Sequence, residues 1–180
     1  MTVFGTLDAV FRERSATDVL VPGWIDRGIG YSEFRPQPTI VYMRLDEGYL
    51  QFESIDQYDQ LKIEYSSELN LAGVLHEEGD EILVASCGEN LFGDGYTALR
   101  CASIRYFLDD NSRVDQGIVK CMEMKFQGAS SLFIDPMWTF GIRLGGADLL
   151  VQWRQNIERY SNVQEYLWDL RSGDNRLVSS

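Results

Sequence analysis

From residue 39 onward, apolar and polar positions alternate with a period of two, the spacing of strands that keep one face in a core and the other in water. Residues 40–45 and 49–53 read as two such strands. Between them Asp46-Glu47-Gly48 is a turn, and Leu50 and Phe52 then fall on one face with Tyr49, Gln51 and Glu53 on the other. A third strand follows at 61–65, where Leu61, Ile63 and Tyr65 alternate with Lys62 and Glu64. Further strands are expected at 82–85, 98–108, 118–126 and 132–134, and the sheet continues through 138–144 until Gly145-Gly146 stops it.

The two ends of the chain show a different period. Phe4, Leu7 and Phe11 are spaced for a short helix over 6–12, and residues 13–38, broken by Pro22, Pro36 and Pro38, read as irregular. Near the other end Leu150, Trp153, Ile157 and Tyr160 form one helical stripe. Asn162-x-x-Glu165 then resembles a capping box, followed by Val163, Tyr166, Leu167 and Leu170, which predicts a second helix. The expected fold class is α+β: a mostly antiparallel β-sheet with two C-terminal helices packed against it, since strands come in a run and helices follow. Residues 1–180 are expected to be a single domain, with 172–180 as a loose tail; a chain of this length can bury roughly 70% of its unfolded surface.

Composition narrows the class. With 44% hydrophobic and 24% charged residues, the chain is too apolar to be disordered. Cys87, Cys101 and Cys121 are odd in number and lack C-x-x-C spacing, so neither a disulfide framework nor a zinc knuckle is expected, and reduced thiols suit a cytoplasmic protein. No stretch reads as a secretory signal or a bilayer span.

Charge changes the picture more than composition does. The formal net charge is −12, and residues 1–90 hold 17 acids against 6 bases while residues 91–180 hold 11 against 10. Residues 46–81 alone carry eleven acids and one base, Lys62. Such a field repels nucleic acid and anionic membrane, and it draws a basic partner over a Debye length of about 8 Å. Within this stretch Tyr49, Phe52, Tyr58 and Tyr65 interleave as aromatic anchors with the carboxylates Glu53, Asp56, Asp59 and Glu64. Tyr49, Glu53, Asp56, Tyr58, Asp59 and Glu64, with Glu77 and Glu78, are the candidate partner-binding set, with a basic protein as the expected partner; the alternative is a solvated acidic face that serves solubility alone.

Catalytic and metal chemistry finds little footing. His76 is the only histidine, no G-x-S-x-G elbow accompanies it, and the cysteines have no nucleophile-like surroundings, so no catalytic residue is assigned. Asp109, Asn111 and Asp115 are oxygen donors, but a calcium loop starting at Asp109 would need Gly and Glu where Val114 and Lys120 stand. Gly141-x-x-x-Gly145-Gly146 lacks the Lys and Ser/Thr of a phosphate loop. No metal and no cofactor is expected.

The segments PTIVYMRLDEGYLQFES (38–54) and LFIDPMWTFGIRLGG (132–146), in a small acidic strand-rich chain, resemble the immunity proteins of bacterial polymorphic and contact-dependent toxin systems. The resemblance implies a non-enzymatic inhibitor that binds a toxin domain and occludes its active site. No functional residue is carried over from it. The alternatives are a small-molecule-binding or hydrolytic domain with a pocket near Trp138 and Phe140, and a structural subunit whose exposed aromatics form a homodimer.

Overall fold

The computed structural model describes residues 3–28, 30–72, 74, 81–128, 131–157 and 162–179. Helix α1 (Val3–Glu13) opens the chain, longer at both ends than its apolar spacing predicted. The run 13–38, read as irregular, is instead mostly extended: β1 (Ser15–Asp26) is the longest strand and β2 (Glu33–Pro36) folds back on it. Alternation is hidden in β1 because nearly all of residues 15–23 are buried on both faces, so no polar period marks it.

Next come β3 (Ile40–Leu45), β4 (Tyr49–Ile55), β5 (Gln60–Ser66) and β6 (Ile82–Ser86), all where alternation placed strands. A short helix α2 (Gly88–Phe92) precedes β7 (Leu99–Leu108). After a 3-10 turn at Val114–Gln116, the expected single strand over 118–126 is two, β8 (Ile118–Val119) and β9 (Cys121–Phe126), broken at Lys120. Strands β10 (Ser131–Trp138) and β11 (Gly141–Gly145) form a hairpin, and helix α3 (Ala147–Ile157) carries the predicted stripe, with Leu150, Trp153 and Ile157 buried. Tyr160, the fourth residue of that stripe, lies outside the described residues.

The second C-terminal helix does not form. Residues 164–169 are strand β12 (Gln164–Asp169), paired along its whole length with β7, and β13 (Asn175–Ser179) pairs back onto it where a loose tail was expected. The reason is competition for one sheet edge. In β12 the face carrying Trp168 and Leu170 enters the core, and Trp168 packs edge-on against Phe11 with ring centroids 6.5 Å apart. A helix stripe over 163, 166, 167 and 170 would leave Trp168 outside. Asn162, the presumed cap, has φ +84 and so turns the chain in the left-handed region.

Every recorded strand pairing is antiparallel, and among the described residues thirteen strands join one sheet ordered β11-β10-β9-β7-β1-β3-β4-β5-β8, with β2 and β6 on β1 and the β12–β13 hairpin on β7. The sheet folds over on itself. Its two halves share one apolar cluster that takes Val41, Met43, Leu50, Phe52 and Ile63 from one half and Ile104, Met122, Met124, Leu132 and Ile134 from the other. The Ser54 hydroxyl donates to the Pro136 carbonyl at 2.9 Å, and the Ile142 amide to the Pro38 carbonyl at 2.6 Å, tying the halves at one rim. Gly141 makes that contact attainable: its φ is +112, and a Cβ there would stand 2.7 Å from the Pro38 carbonyl carbon.

Outside this core lie two smaller apolar layers. Helix α3 covers Phe107, Cys121 and Phe133 on the outer face of the β7–β9–β10 half. Leu69 and Leu71 cover Leu20, Ile40 and Tyr42 on the outer face of the other half. Among the described residues no helix is long and apolar enough to cross a membrane.

Candidate functional site

The break at Lys120 sets the geometry of the site. Strand β8 belongs to one half of the folded sheet, paired with β5, and β9 belongs to the other, paired with β7 and β10. The chain therefore changes halves at Lys120, whose side chain is only 6% exposed at that corner. A buried ammonium needs partners, and two turns supply them. Asp59, from the β4–β5 turn, takes Lys120 Nζ at 2.5 Å, and Asp109, at the end of β7, takes it at 3.2 Å.

A polar network locks the two turns together. Gln60, fully buried, donates from Nε2 to both carboxylate oxygens of Asp109 at 3.0 Å and to Asp59 at 3.2 Å. The Ser112 hydroxyl donates to Asp109 Oδ1 at 2.9 Å and lies 3.3 Å from the side-chain carbonyl oxygen of Gln60. The Asn111 amide donates to Asp109 Oδ1 at 3.1 Å, closing an Asx turn. Burial raises the Asp109 carboxyl pKa, but the Ser112 hydrogen bond, the Lys120 charge and the Gln60 amide outweigh it, so the net shift is downward.

The β4–β5 turn is itself unusual. Asp56, Gln57 and Tyr58 have φ of +53, +60 and +67, three consecutive non-glycine residues in the left-handed region. Each such residue costs on the order of 1 kcal/mol, and the Asp59 amide bonded to the Ile55 carbonyl at 3.1 Å, with the Lys120 and Gln60 contacts behind it, holds the turn in place. The consequence is a projecting tip with Tyr58 42% exposed.

Between this tip and the 109–113 turn lies a cleft of about 560 Å³ lined by Asp56, Gln57, Asp59, Asp110, Asn111 and Arg113. Arg113 is the one basic residue of that lining, held 3.5 Å from Asp56. Asp110 also forms a wall of a neighbouring cleft of about 440 Å³ with Leu108, Asp109, Asn162, Val163 and Gln164. The lining sets three carboxylates and two amides against one guanidinium, with the Lys120 ammonium behind Asp59, an arrangement suited to cationic groups that can also donate hydrogen bonds.

Of the eight residues singled out in the sequence, the six among the described residues do not form one strip. Asp56, Tyr58 and Asp59 meet at the tip. Tyr49, Glu53 and Glu64 lie on the outer face of β4 and β5, in register with Ser66, Lys62 and Gln51, and Tyr49 is roughly 23 Å along the strand from Asp56 at about 3.3 Å per residue. Tyr49 packs against the Leu20, Ile40 and Tyr42 layer, and Glu64 is paired with Lys62 at 2.9 Å. Glu64 also lines a separate recess with Gln51 and Asn70. Glu77, Glu78 and His76 lie outside the described residues. Trp138 and Phe140 stand 40% and 69% exposed at the β10–β11 turn, packed on each other with ring centroids 5.0 Å apart, rather than walling a cavity.

Gln60, Asp110, Ser112, Arg113 and Lys120 belong to the site but not to the residues the sequence singled out. One signal for them was present: Lys120 interrupts the otherwise apolar run Ile118-Val119-Lys120-Cys121-Met122, and such a lysine either faces water or is paired. Asp109 and Asn111 had been weighed only as calcium ligands. Among the described residues no group of three or more His, Cys, Asp or Glu side chains is placed to hold a metal ion. Set against protein-family models, curated proteins and solved structures, the chain matches none of them.

Proposed function

We propose that this is a non-enzymatic binding protein that receives basic side chains of a protein partner in the cleft between the Asp56–Asp59 tip and the 109–113 turn. The observation that carries the reading is the cleft itself: three carboxylates stand in a recess whose walls are fixed from behind by Lys120, Gln60 and Asp109. Preorganised acceptors bind an arginine guanidinium without first ordering themselves, and the tip places Tyr58 beside them as an aromatic contact. The uneven charge of the chain adds steering. An immunity-type inhibitor that covers a basic toxin surface is the role the sequence resemblance suggests for such a recess.

A fluorescein-labelled nona-arginine peptide, followed by anisotropy at physiological salt, tests the reading. The double reversal Asp56→Lys with Asp110→Lys is expected to weaken binding at least tenfold relative to Glu33→Lys with Asp94→Lys, which changes the net charge equally outside the cleft. Equal weakening by the two pairs would show that net charge, not this recess, governs binding.

A further inference from the structure

The layer between α3 and the sheet is built unlike the main core. Register puts Phe107 and Arg105 of β7, Cys121 and Glu123 of β9, Phe133 and Asp135 of β10, and Arg143 of β11 on one face. Helix α3 seals the apolar members with Leu149, Leu150, Trp153 and Ile157, the Trp153 ring lying 4.7 Å from Phe107 and 5.8 Å from Phe133. Charge is buried in the same layer. Glu123 is 2% exposed, with Arg105 at 3.6 Å its ion-pair partner among the described residues, and Asp135 is 4% exposed and paired with Arg143 at 3.1 Å.

Hydrogen-bond accounting in this layer does not close. Glu123 Oε2, Arg105 Nε, Arg143 Nε and Trp153 Nε1 are all shielded from solvent and make no hydrogen bond among the described residues. Arg105 Nε sits 3.1 Å from Glu165 but off the line a hydrogen bond needs. Unmade bonds of this kind are costly when sealed and are restored by water when exposed. Against them, among the described residues one side-chain ion pair ties α3 to the sheet, Arg154 to Glu165 at 2.7 Å, and the same guanidinium lies 5.8 Å over the Phe107 ring. We infer that α3 is a displaceable cover, which opens without unfolding the main core and exposes the mixed charged and aromatic face of β7, β9 and β10.

Two of the three cysteines, Cys101 and Cys121, report on this directly. Cys121 lies beneath α3 with 0% exposure, and Cys101 lies in the main core with 8%, so a rigid molecule would give up Cys101 first. Burial pushes both thiols up, Cys101 to about 12 and Cys121 well above its ordinary value, so neither is a ready thiolate while it stays covered. The full chain is treated with N-ethylmaleimide across a urea series, and each cysteine is followed by peptide mass. Cys121 is expected to react at least tenfold faster than Cys101 in the absence of urea and to depend only weakly on urea. Arg154→Gln is expected to speed Cys121 several-fold and leave Cys101 unchanged. Cys121 reacting no faster than Cys101, or the two moving together in Arg154→Gln, would overturn the inference.

Discussion

Lys120 shows how one residue can organise a site. Its ammonium is buried where the chain changes sheet halves, and Asp59, Asp109 and Gln60 close around it. Lys120→Met leaves two carboxylates facing one another without a cation. Asp59 keeps 40% of its side chain in water, which softens the penalty, so a loss of about 2–3 kcal/mol is expected, below the range for a fully buried pair; urea unfolding measures it. Asp109 adds a pH dependence. Its folded pKa lies below its unfolded value, so its contribution is present above the unfolded pKa, about 3.9, and is lost as pH falls through the lower folded value. Asp109→Asn is therefore expected to flatten the acid limb of the stability curve below about pH 4 while lowering stability at neutral pH.

At the scale of elements, what was legible in the sequence depended on whether one face was wet. Strands β4 and β5 keep one partly exposed side, so their polar period is written in the residues, whereas β3, covered on both faces, shows only Arg44 as its exposed position. Most of β1 is buried on both sides, and its Pro22 and Gly23 suggested a loop, although Pro22 sits at a strand position paired with Val84 of β6. Residues 162–170 misled for another reason: Asn162-x-x-Glu165 with Val163, Tyr166, Leu167 and Leu170 fits a helix locally, while Glu165 is in fact held in a strand by Arg105 and Arg154. Tertiary pairing overrode local preference. The distinction is measurable, because only the strand buries Trp168. Trp168→Ala is expected to cost about 3–5 kcal/mol, and Leu167→Ala, on the half-exposed opposite face, about 1 kcal/mol or less. Equal costs would favour a different arrangement of this segment.

Over the whole molecule, the described carboxylates of the acidic first half do not gather on one face. They are spread over several turns and strands, and bases meet several of them: Arg14 at Glu47, Lys62 at Glu64, Arg27 at Glu81 and Lys120 at Asp59. Three of the eight expected partner-binding residues, Asp56, Tyr58 and Asp59, lie at the tip, and that wall was legible because aromatic and acidic side chains already crowd it in the sequence. The other wall was not, since Asp109, Asp110 and Arg113 reach the tip from some fifty residues away through sheet pairing that no local pattern records. What carries the proposed function is the recess, where the buried Lys120–Gln60–Asp109 network holds Asp59, with Asp56 and Asp110 beside it in the same lining. Its binding role is tested most directly by titrating the nona-arginine peptide into 15N-labelled protein and following the amide shifts. Perturbations centred on residues 56–60 and 109–113 are the predicted result; shifts centred on the outer face around Tyr49, Glu53 and Glu64, with the recess unmoved, would contradict it.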